Sequence, residues 1–149
     1  MEKFIIGGGQ RLHGVVEIQR AKNSVLPLLA ASILTDESVL IREIPRISDA
    51  ENMLHILREL GCRIHRNGMD AMIDSSNAVS HEIPAVMTKE IRSSIFMLGS
   101  VLTRFHRAKI AYPGGCDIGL RPIDLHLSGF KKLGVEISEE GGYIHCHAE

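Results

Sequence analysis

Three kinds of excess are missing from this sequence: charge of one sign, cysteine, and long apolar runs. With 17 Lys and Arg against 18 Asp and Glu the net charge is -1, which creates no field able to gather nucleic acid or an anionic membrane. Anion binding must then come from local clusters. Three widely spaced cysteines, Cys62, Cys116 and Cys146, do not make a disulfide framework in a chain of 149 residues. No apolar run approaches membrane-spanning length. Met1 to Ile6 runs straight into Gly7-Gly8-Gly9, too short for the apolar region of a secretion signal. A cytoplasmic, reducing location is the expectation.

What is present suffices for a core. Apolar residues make up 44% and charged residues 23%, the balance of a folded globular protein. The length allows one large domain or two small modules. Two β-like runs, Phe4 to Ile6 and Val15 to Ile18, flank a glycine-rich turn that no helix follows, so a hairpin or bend is expected rather than a dinucleotide fingerprint. Leu26, Leu29, Ala30 and Ile33 recur at helical spacing within residues 24–34. Pro27 is tolerated there in the first turn, which puts Lys22 and Asn23 at the helix start. A strand over 39–41 follows. Ser48-Asp49-Ala50-Glu51 has capping-box form and opens a helix with apolar Ala50, Leu54, Leu57 and Leu60. Gly61 ends it, ahead of strands near 63–65 and 71–74.

The second half repeats the first. Ser32-Ile33-Leu34-Thr35 matches Ser100-Val101-Leu102-Thr103 at an offset of 68 (100 − 32), as Pro45 matches Pro113. Further on, Leu60-Gly61 matches Leu133-Gly134 at 73 (133 − 60), and the stripe Ala50, Leu54, Leu57, Leu60 maps onto Ile123, Leu127, Phe130, Leu133. The difference of five residues (73 − 68) falls within residues 113–122. Each copy reads as strand, helix, strand, helix, strand, strand. The fold class is therefore α/β with tandem βαβαββ-like repeats, two of them present.

The inserted stretch is Pro113-Gly114-Gly115-Cys116-Asp117-Ile118-Gly119-Leu120-Arg121-Pro122. Its glycines permit close approach of a ligand, and Pro122 suits the first turn of a helix. The spacing predicts an exposed loop feeding a helix whose N-terminus, with Arg121, attracts an anion. That surrounding tunes Cys116 towards thiolate, with Asp117 opposing. A plain turn with an incidental cysteine is the alternative; insertion into a repeated unit favours function.

Ala21-Lys22-Asn23, Lys89-Glu90-Ile91-Arg92-Ser93-Ser94 and the run from Pro113 to His126 together resemble the UDP-N-acetylglucosamine 1-carboxyvinyltransferases, a group of enolpyruvyl transferases. The resemblance spans the whole chain. The 5-enolpyruvylshikimate-3-phosphate synthases look related in fold but lack the cysteine loop. The resemblance implies the enolpyruvyl transferase fold, an inside-out α/β barrel of two lobes, each of three βαβαββ units. Residues 21–86 and 87–149 would be two units of one lobe, and 1–20 a strand pair belonging to the other. The chain looks like the N-terminal third of the enzyme.

The implied reaction carries enolpyruvyl from phosphoenolpyruvate to the 3′-hydroxyl of UDP-N-acetylglucosamine and releases phosphate, in the first committed step of peptidoglycan synthesis. It uses no metal or organic cofactor, and nucleic acid and membrane are not among its partners. The resemblance makes Cys116 the proton donor to C3 of phosphoenolpyruvate and the site of alkylation by fosfomycin. It makes Lys22 the catalytic cation that holds phosphoenolpyruvate and its departing phosphate, with Asn23 hydrogen-bonding substrate beside it. Arg92 falls at the nucleotide-sugar site, and Arg121, Pro122, Ile123, Asp124 and Leu125 along the uridine end. Arginine suits bidentate oxyanion contacts. Read without the resemblance, Lys22 and Arg92 are ordinary solvated cations.

Arg20 stands where the family has a small residue, and either alters phosphoenolpyruvate affinity or points to solvent. The family's other catalytic groups, an aspartate near the sugar 3′-hydroxyl and further arginines, belong to the part this chain lacks. The isolated chain is thus expected not to turn over. The alternative reading is a truncated non-catalytic module that binds nucleotide sugar or pairs with a missing lobe. A metal site is disfavoured: strand periodicity sends His145 and His147 to one face and Cys146 to the other, and Cys116 and His126 lack the close pairing of structural zinc. Cys62 and Cys146 read as small core residues.

Overall fold

The computed structural model describes residues 3–9, 11–18, 20–90, 92–113 and 123–149, with the backbone alone at 89, 90 and 92. Helix α1 (Lys22–Ala31) starts at an uncapped Ala21, whose carbonyl accepts from the Ser24 and Val25 amides at 3.2 and 3.3 Å. Lys22 and Asn23 therefore lie inside the first turn, and Pro27 falls in the second turn rather than the first. Proline cannot donate to the Asn23 carbonyl. The helix persists because Val25, Leu26, Leu29 and Ala30 are buried. It tightens into a 3₁₀ turn (Ser32–Leu34).

Strand β1 (Val39–Ile41), helix α2 (Ser48–Glu59) and strands β2 (Arg63–Asn67) and β3 (Asp70–Asp74) follow, forming a sheet of order β1-β3-β2. The apolar face of α2 is as its spacing predicts, with Ala50, Leu54, Leu57 and Leu60 all at 0% exposure. Its start differs from the capping box expected. Ile47 is the N-cap, with no side-chain cap bond, and Glu51 instead accepts from Arg66 Nη2 at 2.9 Å. A carboxylate engaged across to β2 is lost to the cap. Gly61 closes the helix at φ +103°, where a Cβ would stand 2.7 Å from the Asn77 carbonyl oxygen.

The second sheet has the order β4-β5-β7-β6, built from β4 (Glu82–Ile83), β5 (Arg107–Ala111), β6 (Glu136–Glu140) and β7 (Tyr143–His147). Helices α3 (Ala85–Glu90), α4 (Ile95–Phe105) and α5 (Asp124–Lys132) accompany it, with a 3₁₀ turn (Arg92–Ser94) before α4. Strand β4 runs parallel to β5 and the other pairs are antiparallel. The point between residues 86 and 87 lies inside α3. Helices α1 and α4 pack on one another, and one hydrophobic cluster runs through both halves.

Register refines the correspondence between halves. Ile41 pairs with Ala71, and Ile110 with Ile144, so these strands correspond at offsets of 69 (110 − 41) and 73 (144 − 71). Two expectations fail. Residues 4–6 and 15–18 form no strand, and Phe4, Ile5, Ile6, Val15, Val16 and Ile18 are exposed. Their β-branched and aromatic content fits a strand, but a strand needs a neighbour, and no described residue pairs with them. Leu133 is 81% exposed whereas Leu60 is fully buried. The Leu60 carbonyl accepts from the Val79 and Ser80 amides as the chain after β3 passes over it; no described residue crosses Leu133 in this way.

Candidate functional site

The first turns of α1 and α2 meet through charge. Lys22 Nζ lies 2.6 Å from Asp49 Oδ2, and the two side chains are 52% and 23% exposed. They are brought together because α1 packs on α2, with Leu26 and Leu29 on one helix and Ala50, Met53 and Leu57 on the other in the same core. Asp49 lies in the first turn of α2, where unpaired N–H groups favour a carboxylate. Asn23 is exposed beside Lys22, and its hydrogen-bonding groups face solvent at the open end of the helix pair.

Arg20 pairs with Glu43, and the Glu43 amide in turn donates to Asp70 Oδ1 at 2.8 Å. Hydrogen bonding to Glu43 raises the Arg20 pKa. Of the two expectations for Arg20 the solvent-facing one agrees with its 70% exposure, and the pair ties the start of α1 to the β1–α2 connection. Glu43 itself adopts φ +54°, a left-handed conformation uncommon for a side chain of its kind.

Ile123 is the N-cap of α5 and is buried. Asp124 occupies the first turn and Leu125 is exposed. Among the described residues no hydrogen bond or ion pair joins these three to Lys22 or Asn23. The stretch just before the cysteine loop is anchored: Tyr112 Oη donates to Glu139, and its amide meets the Gly142 carbonyl at 3.4 Å. Cys116, Arg121 and Pro122 lie outside the described residues, as does the side chain of Arg92, whose backbone belongs to the 3₁₀ turn before α4.

The other two thiols are core residues. Burial pushes Cys62 up to about 11, with Arg104 opposing and Asp74 adding; burial likewise pushes Cys146 up to about 11. Both remain protonated at neutral pH, and neither is a nucleophile. His145 and His147 share the face opposite Cys146, as periodicity predicts, on a pocket of about 360 Å³ also lined by Glu136 and Ser138. Ile137 and Cys146 also line it, and Lys22, Asn23, Ile123, Asp124 and Leu125 do not. Among the described residues no group of three His, Cys, Asp or Glu is placed to hold a metal, and no helix is long and apolar enough to cross a membrane.

Sequence reasoning missed Asp49 as a partner of Lys22, since 27 residues separate them (49 − 22). It also missed Arg104, which joins the two halves. The signal for Arg104 was available: it lies 68 residues from Asp36, the offset of the repeat.

The family described as EPSP synthase (3-phosphoshikimate 1-carboxyvinyltransferase) matches residues 6–149. A protein of Caldanaerobacter subterraneus subsp. tengcongensis named UDP-N-acetylglucosamine 1-carboxyvinyltransferase 2 is 50% identical over 146 residues, covering 98% of this chain and 35% of that protein. A Bacillus subtilis protein of the same name is 41% identical over 149 residues, covering 100% of this chain and 35% of its own length. The chain thus spans about a third of the curated relatives it matches. Among solved structures, the enolpyruvyl transferase NikO from Streptomyces tendae superposes with a TM-score of 0.81 at 24% identity, over 95% of this chain and 31% of that one. EPSP synthase from Acinetobacter baumannii gives a TM-score of 0.63 at 14% identity, over 91% and 32%. At such identities these two show the fold.

Proposed function

The chain belongs to the EPSP synthase (3-phosphoshikimate 1-carboxyvinyltransferase) family of enzymes, and from that membership we propose that it is the N-terminal third of a transferase using UDP-N-acetylglucosamine as acceptor. The observation that carries this choice of acceptor is the 50% identity, across 98% of the chain, to a protein named for that reaction. In this reading the two α/β units are consecutive repeats of one lobe, and the exposed apolar residues 4–18 pair as strands with the remainder of the enzyme.

The chemistry asks for cations and one acid. The 3′-hydroxyl oxygen of the sugar bonds to C2 of phosphoenolpyruvate, its proton passing to a carboxylate outside this chain, while Cys116 delivers a proton to C3 and takes one back in the elimination. Loss of a C3 proton and of phosphate then regenerates the double bond on the transferred group. Lys22 stands in the first turn of α1, where helix N–H groups and its ammonium both favour the substrate phosphate. Asn23 adds a neutral donor and acceptor beside it. Arg92 and Arg121 supply oxyanion contacts to the nucleotide sugar, and Pro122 to Leu125 line the uridine end at the start of α5. Cytoplasmic work on peptidoglycan precursors follows from this acceptor.

Fosfomycin, an epoxide, tests the cysteine's role. Intact-mass analysis of the native protein that carries this sequence should show one adduct, absent in Cys116→Ser. Labelling that persists in the variant removes Cys116 from the mechanism. A second reading is a non-catalytic module that binds nucleotide sugar or pairs with a missing lobe; binding of UDP-N-acetylglucosamine without phosphate release is its mark.

A further inference from the structure

We propose that Asp49 is a positioning residue for Lys22 and tunes which anions its ammonium accepts; this rests on the reading of Lys22 as a phosphate ligand. Lysine carries a point charge on a four-carbon stem with many rotamers, so an exposed lysine has no fixed Nζ position of its own. Here Nζ is held 2.6 Å from Asp49 Oδ2. The holding carboxylate is the more buried partner, at 23% exposure against 52%. It stands in the first turn of a helix packed against α1. Asp49 is therefore the fixed element and Lys22 the one being placed.

The consequence for a ligand follows from counting donors. An ammonium has three N–H groups. The Asp49 carboxylate, 2.6 Å from Nζ, occupies one side of the ammonium and leaves its other sides to a ligand. Arg20, the cation two residues away, is engaged by Glu43, so Lys22 is the cation that the first turn of α1 offers. An anion reaching Nζ also approaches the Asp49 carboxylate and is repelled by it. A phosphate that engages both remaining donors offsets that repulsion, whereas a singly contacting anion does not. Orientation and discrimination come from one residue.

The test uses the native protein that carries this sequence, inorganic phosphate as the probe, and NMR of the lysine ammonium groups. Three variants are compared: Asp49→Asn, which keeps the shape and removes the charge; Asp49→Glu, which keeps the charge; and Lys22→Gln. Besides Lys109, which donates to Glu82 at 3.1 Å, wild type should show a second lysine ammonium whose proton exchange is slowed, here by the ion pair with Asp49. That signal should vanish in Asp49→Asn and Lys22→Gln and return in part in Asp49→Glu. Lys22→Gln should weaken phosphate binding about fivefold or more, and Asp49→Asn should tighten it about threefold as the repulsion is lifted. If Lys22→Gln weakens phosphate while Asp49→Asn leaves signal and affinity unchanged, or weakens binding, the role of Asp49 is overturned and that of Lys22 stands. If Lys22→Gln leaves phosphate affinity unchanged, the reading of Lys22 falls and the proposal with it.

Discussion

Arg104 and Asp36 stand 68 residues apart, at corresponding positions behind the two Ser-aliphatic-Leu-Thr stretches, and they are bonded to each other: Arg104 Nη2 donates to Asp36 Oδ1 at 2.6 Å. The guanidinium also donates to the carbonyls of Ile33 at 2.8 Å, Thr35 at 3.2 Å and Ser75 at 2.9 Å. It is 13% exposed whereas Asp36 is 82% exposed. The arginine therefore works mainly through buried carbonyls of the first half, and the aspartate is its solvent-side partner.

That asymmetry predicts unequal losses. Arg104→Met removes a donor from three carbonyls, of which Thr35 keeps the Ser75 hydroxyl and Ser75 keeps the Ala78 amide, and should cost roughly 2 kcal/mol. Asp36→Asn removes an exposed charge only and should cost about 0.5 kcal/mol or less. Urea denaturation of the two variants separates them; equal losses would show that the carbonyl contacts contribute little.

Gly61 gives a second stability prediction. Alanine there must adopt φ +103° and bring its Cβ to 2.7 Å from the Asn77 oxygen. Gly68, at φ +61° with nothing within 4 Å, has the conformational cost without the clash. Gly68→Ala should lose about 1 kcal/mol and Gly61→Ala clearly more, roughly 2–4 kcal/mol. Similar midpoints in urea for the two variants would contradict the close approach of the 75–80 segment to the end of α2.

Much of this was legible from spacing, and the exceptions share a cause. Helix α2 was readable because its period of 3.6 alone puts Ala50, Leu54 and Leu57 on one face. Leu133 has the same period but no described residue crossing over it, so periodicity predicted a burial that only a neighbour can supply. Residues 4–6 and 15–18 failed for the same reason: β-branched content favours a strand, and pairing makes one. The Ser48 cap failed because Glu51 has a better partner in Arg66. On the candidate site, the sequence located Lys22 and Asn23 at a helix start but could not show Asp49 beside them, because that contact belongs to helix packing. Cys116, Arg121 and Pro122 were singled out from glycine content, the offset of the repeat and the family resemblance, and they lie outside the described residues.

The buried thiols predict alkaline sensitivity. Cys62 and Cys146 are raised to about 11 from an ordinary 9.0, in both cases chiefly by burial. A thiol whose folded pKa lies above its unfolded one contributes stability that is complete below about pH 9 and is lost as pH rises towards about 11. The urea midpoint should therefore fall between pH 8.5 and 10.5, and fall less in Cys146→Ala relative to its own value at pH 8.5. An identical slope in that variant would show that Cys146 does not report on the core at high pH.

Release of phosphate from phosphoenolpyruvate by the native protein that carries this sequence, measured with each of two acceptors, tests the central claim most directly. The account predicts release with UDP-N-acetylglucosamine, none with 3-phosphoshikimate, and loss of release in Cys116→Ser. Release with 3-phosphoshikimate instead, or with neither acceptor, would contradict it.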